Sequence, residues 1–267
     1  MASPVFGEFI GTFVLILLGD GVVAGVLLKG SKGENAGWLA ITAGWAFAVF
    51  AGVFTAVAFG SADAHLNPAV TLALAVHRRL AWNKVVPYWI AQVAGAFAAS
   101  AVVFATYHEA LNAFDGGVRH VLGPQGTAGI FATYPQPFLS VFPGGFVDQV
   151  VGTALLLAVI FGITDKRNAS APPGLAPVVI GLLVVAIGTA FGFNAGYAIN
   201  PARDFGPRLF TFVAGWGADV FRAANNWWWV PVVAPLVGGV VGGWAYDVLV
   251  GHHLENVRDV REVERVP

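Results

Sequence analysis

The tripeptide Asn-Pro-Ala occurs twice in this chain, at residues 67–69 and 200–202, and both copies lie in long apolar sequence. Asparagine is a strong helix N-cap, and proline is favoured at the first position of a helix. Each copy therefore predicts a helix that begins at its proline. The apolar runs that follow, 69–76 and 205–213, are shorter than the ~20 residues that cross a bilayer. We therefore expect two half-helices, each reached by an extended segment.

The composition indicates that these half-helices lie in a membrane. Of the 267 residues, 57% are hydrophobic and 11% are charged, whereas a soluble domain carries about 25% charged residues. A soluble protein of this size has no means of burying so much apolar surface. Six apolar segments approach or exceed the length of a membrane span, at residues 5–28, 38–59, 86–107, 146–164, 175–194 and 229–250.

Net charge and cysteine content exclude several kinds of site. The formal net charge of −1 argues against nucleic acid as a partner, and the chain has no cysteine. Disulfides and thiolate metal sites are therefore absent. His252-His253 supplies half of a metal site, but no further ligands are near it in the sequence. We expect no metal and no cofactor.

The spacing of the apolar segments predicts one membrane domain over residues 1–251. Its connections are short except for residues 108–145, which contain two adjacent glycines and four prolines and are expected to form an irregular surface loop. Residues 252–267 are expected to form a charged, solvent-exposed tail.

The distribution of lysine and arginine predicts that both termini are cytoplasmic, because cytoplasmic loops are enriched in these residues. That side then carries eight of them and the other side six, two of which belong to the second Asn-Pro segment. The eight are Arg78, Arg79, Lys84, Lys166, Arg167, Arg258, Arg261 and Arg265.

The two halves of the chain, about 5–107 and 146–250, share a pattern. Glu8 precedes a Gly-Thr pair in the first segment at the same spacing as Gln149 in the fourth, and residues 65–69 match 198–202. Three spans separate corresponding elements, so the second copy is inverted, and such repeats with interrupted segments mark a pathway near the midplane. The predicted fold is an all-α membrane protein with six transmembrane helices, two re-entrant half-helices and an inverted internal repeat.

Inversion brings the N-termini of the half-helices together at Pro68 and Pro201. There, two positive helix ends and the amides of Asn67 and Asn200 repel cations and orient a passing water or hydroxyl, which interrupts a proton wire. The alternative, that the asparagines are only N-caps of buried helices, explains one copy better than two inverted ones. Backbone carbonyls are expected to line one wall, from Asp63, Ala64, His65, Leu66, Gly196, Tyr197, Ala198 and Ile199.

From Gly7 to about His253 the chain resembles the aquaglyceroporin branch, the glycerol facilitators, of the aquaporin or major intrinsic protein family. The resemblance implies a right-handed bundle with one pore per subunit, assembled as a homotetramer in the cell membrane. It implies a passive channel that conducts glycerol, similar small neutral solutes and water through the lipid bilayer and excludes ions and protons. A channel that conducts mainly water is the alternative within the family.

The family's selectivity constriction maps onto Trp45, Gly188, Tyr197 and Arg203. Strict water channels of the family carry histidine where this chain has Gly188, and glycine is expected to leave a wider opening. Trp45 and Tyr197 would face the CH backbone of a polyol, and Arg203 would donate to its hydroxyls. Phe47 competes for the Trp45 position. Further positions that resemble the glycerol branch are Tyr134, Asp204, Arg208, Pro235 and Leu236.

Two positions depart from the family pattern. The family usually has glutamate in both halves at the Glu8 position, where the second half of this chain has Gln149. We expect both side chains to support the half-helix loops by accepting hydrogen bonds, Gln149 without a charge. Tyr197 stands where phenylalanine is typical and adds a hydroxyl to the opening.

Three other classes of function fit the residues less well. An enzyme would need catalytic groups that this sequence does not offer, because the intramembrane polar residues are amides and one arginine, which are poor general bases. A secondary transporter shares inverted repeats and broken helices, but its candidate carboxylates, Glu8 and Asp63, are better explained as parts of the loops. An ion channel is disfavoured by the positive centre and Arg203.

Overall fold

The computed structural model describes residues 2–254, and that range contains helices and no β-strand. Six of its helical stretches are long and apolar enough to cross a membrane, which confirms the predicted number of spans. The helices are α1 (Pro4–Leu27), α2 (Trp38–Ala58), α3 (Pro68–Val76), α4 (Val85–Asp115), α5 (Phe146–Thr164), α6 (Ala176–Ala195), α7 (Pro201–Thr211), α8 (Asp219–Asn226) and α9 (Val230–Tyr246).

The third span extends beyond the apolar segment 86–107 that was predicted for it. Helix α4 continues to Asp115 because residues 108–115 include the good helix formers glutamate, leucine and alanine. Gly116 then ends the helix in the left-handed conformation, at φ 69°. From residue 116 to residue 140 the chain is irregular apart from a short 3₁₀ turn at Ala128–Ile130.

The predicted C-terminal tail, residues 252–267, lies mostly outside the described residues. His252 and His253 are exposed at the end of the last helical turn. Within residues 2–254, the structure contains no cluster of three or more His, Asp or Glu side chains able to hold a metal ion.

The two halves have the same order of spanning helices and half-helix, and each half-helix packs against a helix of the other half. In the first half α1 packs against α2 and α4, and in the second half α5 packs against α6 and α9, with α2 and α6 in contact between the halves. Half-helix α3 packs on α9, and α7 packs on α4. Each half-helix is therefore buried by the last long helix of the other half, which fixes where the two half-helices meet.

Glycines on α9 make this packing possible. A methyl group at Gly238 or Gly242 would lie 2.4 Å or 2.1 Å from a backbone carbonyl oxygen of α5. On the other side of α9, a methyl group at Gly239 would lie 2.9 Å from the Ala69 carbonyl oxygen of α3. Helix α9 therefore packs closely on α5 through Gly238 and Gly242, as small residues four apart allow, and on α3 through Gly239.

Candidate functional site

The two half-helices meet through their capping asparagines. Each asparagine caps its own helix, since the Asn67 Oδ1 accepts from the Ala69 N–H at 2.8 Å and the Asn200 Oδ1 from the Ala202 N–H at 3.0 Å. Each amide nitrogen also donates to the opposite half: Asn67 Nδ2 lies 2.9 Å from the Ile199 carbonyl oxygen, and Asn200 Nδ2 lies 2.8 Å from that of Leu66. One N–H of each amide remains for other partners, because an amide has two.

The extended segments before the asparagines repeat the same backbone geometry. Ala64 and Leu66 in the first segment have φ of 42° and 53°, and their counterparts Tyr197 and Ile199 have φ of 39° and 42°. Left-handed backbone costs a non-glycine residue roughly 1–3 kcal/mol, so it persists only where surrounding contacts hold it.

Two of the eight backbone carbonyls that were predicted to line the pore have a second role. The carbonyls of Leu66 and Ile199 accept from the opposite asparagines, so they link the halves instead of serving only the lumen. Of the predicted row, all eight residues line the central cavity: Asp63, Ala64, His65, Leu66, Gly196, Tyr197, Ala198 and Ile199.

Glu8 holds the first extended segment. Its carboxylate is fully buried and accepts from the backbone N–H groups of His65 and Leu66, both at 2.8 Å. It also accepts from Ser61 Oγ at 2.7 Å and Gln92 Nε2 at 2.8 Å. Four donors on two oxygens are the full complement of an ionised carboxylate.

Gln149 makes one comparable contact to the second segment. Its Oε1 accepts from the Ile199 N–H at 3.2 Å, and its Nε2 donates to Asp148 at 2.9 Å. Asp148 in turn accepts from Asn194 Nδ2 at 2.8 Å. The amide therefore reaches the same kind of backbone donor as Glu8, with fewer bonds.

A single cavity of about 410 Å³ passes both asparagines. We call the end of the bundle where α1 begins the N-terminal face. The cavity extends from Arg79 and Thr164 near that face to Tyr197 and Arg203 on the other side of the centre. We call the two extended segments the polar wall of the cavity. The aliphatic side chains that line other parts of it are called the apolar wall: Leu15, Val49, Val53, Val70, Leu74, Leu156, Ile160, Ile180 and Val184.

Trp45, Tyr197 and Arg203 lie together at one end of this cavity. The guanidinium carbon of Arg203 lies 4.2 Å from the centre of the Trp45 ring, and Arg203 Nη1 donates to the Phe131 carbonyl at 2.8 Å. Phe47, the competing residue for the Trp45 position, is 61% exposed on the outer surface, whereas Trp45 is 5% exposed.

Gly188 lies behind this group, and the space that it leaves is filled. A methyl group there would lie 2.7 Å from the Tyr197 ring and 2.6 Å from the Thr42 methyl. Trp38 Nε1 donates to the Gly188 carbonyl at 2.8 Å and the Trp38 ring contacts Tyr197 edge-on. The expectation that glycine itself widens the opening is therefore modified: the Tyr197 ring occupies the space beside Gly188.

Asp204 and Arg208 fix the loop between α4 and α5 onto half-helix α7. Their side chains pair at 2.8 Å and are fully buried. Asp204 accepts from the N–H and the hydroxyl of Thr133, and Arg208 donates to the Thr133 carbonyl at 2.7 Å. The Arg208 guanidinium also lies over the Tyr134 ring. Of the other positions that resemble the glycerol branch, Pro235 lies buried inside α9 with Leu236 beside it.

Asp20 is a further buried carboxylate, which the sequence motifs did not identify. This residue of α1 is fully buried, and its Oδ1 lies 3.9 Å from Arg203 Nη1. A carboxylate inside a predicted span is itself a signal of function, and this signal is present in the sequence at Asp20.

At the N-terminal end of the cavity, Asp63 accepts from Lys84 at 2.8 Å and Tyr88 at 2.6 Å. Burial alone would raise the pKa of Asp63, but these hydrogen bonds outweigh it and lower the pKa.

Comparison with known proteins agrees with this geometry. The family model described as MIP, major intrinsic protein, matches residues 2–246. Human Aquaporin-9 is 48% identical over 96% of this chain and 85% of its own length, and human Aquaporin-10 is 46% identical over 98% and 86%. Aquaglyceroporin-2 of Rhizophagus irregularis is 47% identical over 91% of this chain and 76% of its own length.

The fold has been observed in a solved relative. The X-ray structure of the aquaglyceroporin from Plasmodium falciparum superposes with a TM-score of 0.83 at 32% identity, and covers 94% of this chain and 98% of that one. The chain belongs to the major intrinsic protein family, and it resembles the aquaglyceroporins within that family.

Proposed function

We propose that this protein is a passive channel that conducts glycerol, similar small uncharged solutes and water, and excludes ions and protons. The observation that carries the proposal is the cavity that passes both capping asparagines between a polar and an apolar wall. The relatives named as aquaglyceroporins support the choice of glycerol as a solute. Membership of a family of channels argues against an enzyme.

The two walls match the two sides of a linear polyol. Its hydroxyls exchange hydrogen bonds with the backbone carbonyls on one wall, and its CH groups face the aliphatic side chains on the other. At the centre, the remaining N–H groups of Asn67 and Asn200 donate to one passing oxygen. The hydrogens of that oxygen then point away from the centre, so that a chain of waters has no continuous proton path.

Selectivity in this proposal arises at Trp45, Tyr197 and Arg203, with Gly188 behind them. The two rings contact the carbon backbone of the solute, and the guanidinium of Arg203 donates to its hydroxyls. Cations meet the positive ends of α3 and α7 as well as Arg203, and both disfavour their entry.

The test is stopped-flow light scattering on vesicles that contain the purified protein. It measures water permeability in an osmotic gradient and solute permeability in gradients of glycerol and urea. We expect glycerol flux well above that of protein-free vesicles, with no added ionic conductance. Replacing Trp45 by alanine is expected to change the ratio of glycerol to water permeability, whereas Phe47→Ala on the outer face of the same helix leaves it unchanged. Water flux without glycerol flux would support the water-selective alternative, and absence of both would reject a channel.

We also propose that both termini are cytoplasmic in the cell's plasma or inner membrane, and that four copies assemble as in the family. The distribution of lysine and arginine along the sequence supports this orientation. The chain has no cysteine, so single cysteines can report the topology. In intact cells, an impermeant maleimide should label Asn35→Cys on the opposite face and leave Ala169→Cys unlabelled, and the reverse pattern would invert the orientation. Sedimentation in detergent tests the tetramer.

A further inference from the structure

We propose that Asp20 is a positioning residue for Arg203: its buried carboxylate supplies the counter-charge that holds the guanidinium against the wall of the channel. This inference rests on the proposed function, which gives Arg203 its place at the constriction. Asp20 Oδ1 lies 3.9 Å from Arg203 Nη1 and has no hydrogen-bond partner within residues 2–254. Its other oxygen, Oδ2, is 3.4 Å from the Ser100 hydroxyl.

Asp20 is the acidic side chain that is available to pair with Arg203. Asp204, the other acid nearby, is already paired with Arg208 at 2.8 Å and bonded to Thr133. Arg203 itself has 10% of its side chain exposed. A guanidinium that is mostly removed from water needs a nearby opposite charge or sufficient acceptors, and within residues 2–254 its one backbone acceptor is the Phe131 carbonyl.

One turn of α1 supports both Trp45 and Arg203. At Gly19, a methyl group would lie 2.2 Å from the Trp45 ring, so the absent side chain makes room for the indole. At the next residue, Asp20 faces Arg203, whose guanidinium stacks on the same indole at 4.2 Å. Helix α1 therefore sets the lateral position of the two side chains, although Gly19 and Asp20 themselves do not line the cavity.

Removing the charge of Asp20 should release Arg203 into the lumen. Without a counter-charge, the guanidinium gains by approaching the water of the channel, where it narrows the opening and presents an uncompensated positive charge. Glycerol is wider than water, so its passage should be reduced more. Small anions, which the paired arrangement does not attract, should gain a path.

The experiment compares wild type with Asp20→Asn, which keeps the volume and removes the charge. In vesicles, we expect the ratio of glycerol to water permeability to fall about fivefold. Swelling in potassium nitrate with valinomycin, which requires an anion path, should appear in the variant only. The double variant Asp20→Asn with Arg203→Gln should lose the nitrate swelling, because both charges are then absent.

Controls separate this role from a loss of folding and from failure of the proposed channel. Asp115→Asn removes a buried carboxylate from a different pair, with Arg119 at 2.7 Å, and should leave the permeability ratio and the nitrate barrier unchanged. An unchanged ratio and nitrate barrier in Asp20→Asn would overturn the inference. So would an equal loss of both fluxes. If wild type conducts no glycerol, the proposed function fails before Asp20 is tested.

Discussion

Replacing Glu8 by glutamine makes the first half of the molecule resemble the second, and the structure predicts that the exchange is costly. Each carboxylate oxygen of Glu8 accepts two donors: Ser61 and the His65 N–H on Oε1, and Gln92 and the Leu66 N–H on Oε2. In Glu8→Gln, one oxygen becomes an NH₂ group, which faces a backbone N–H in either orientation: that of His65 at the Oε1 position or that of Leu66, together with Gln92, at the Oε2 position. The side-chain amide of Gln92 can turn to meet it, since its Oε1 has no partner among the described residues. The backbone N–H of Leu66 cannot.

The magnitude follows from these bonds. A buried N–H left without an acceptor costs about 1–3 kcal/mol, and each of the two bonds retained loses about 1 kcal/mol when its acceptor is no longer charged. Relief of burying a charge offsets part of the sum. We expect Glu8→Gln to lower the free energy of unfolding by about 2–4 kcal/mol. Because the Leu66 carbonyl accepts from Asn200, channel activity should fall with it.

The assay is unfolding in detergent, by denaturant titration, together with glycerol flux into vesicles. Gln149→Glu is the matched exchange in the other half. It places a second carboxylate beside Asp148, whose oxygen is now 2.9 Å from the Gln149 amide nitrogen, and should also destabilise the fold. If Glu8→Gln unfolds at the same denaturant concentration as wild type and conducts equally well, the four bonds do not hold the loop and this reasoning is wrong.

Three further predictions concern other parts of the molecule. Gly188→His should push the Tyr197 ring into the lumen and reduce glycerol flux far more than water flux; stopped-flow measurements showing equal losses would contradict this. Asn200→Asp keeps the capping oxygen but replaces the donor amide by a negative charge, so cation conductance across planar bilayers should appear. Hydrogen bonds from Arg167 lower the pKa of Asp165, so its ionised form stabilises the fold above about pH 4 and this contribution is lost as the pH falls further. Asp165→Asn should therefore cost about 1 kcal/mol of unfolding free energy at pH 7, and a cost that persists unchanged in strong acid would refute the assignment.

The features that the sequence predicted are those encoded in a local pattern. Length and hydropathy identify six spans, and Asn-Pro marks the start of each half-helix, because capping and the missing N–H of proline act within one turn. The end of α4 was not predicted from hydropathy. Residues 108–115 are more polar than a membrane span, but they are still good helix formers, so the helix continues through them.

Features that depend on which side chains meet were not predictable from local patterns. The asparagines were expected to face the lumen alone, but half of their donors link the two halves at Leu66 and Ile199. Gly188 was expected to act as empty space, and Tyr197 fills that space. The asparagine contacts join residues more than 130 positions apart. Tyr197 reaches Gly188 from the extended segment that follows α6, and spacing along the chain does not reveal either contact.

The asymmetry between Glu8 and Gln149 has a physical explanation in the loop between α4 and α5, which contains Thr133. Glu8 holds the first extended segment from within its own half through four hydrogen bonds. The second segment is flanked by Thr133, whose methyl lies 3.5 Å from where a side chain at Gly196 would begin, and Asp204 and Arg208 fix that threonine from the adjacent half-helix. With Thr133 fixed beside the second segment by a buried ion pair, a neutral amide at position 149 suffices. The ion pair on the first segment, Asp63 with Lys84, is partly exposed, so that segment depends on the buried carboxylate of Glu8.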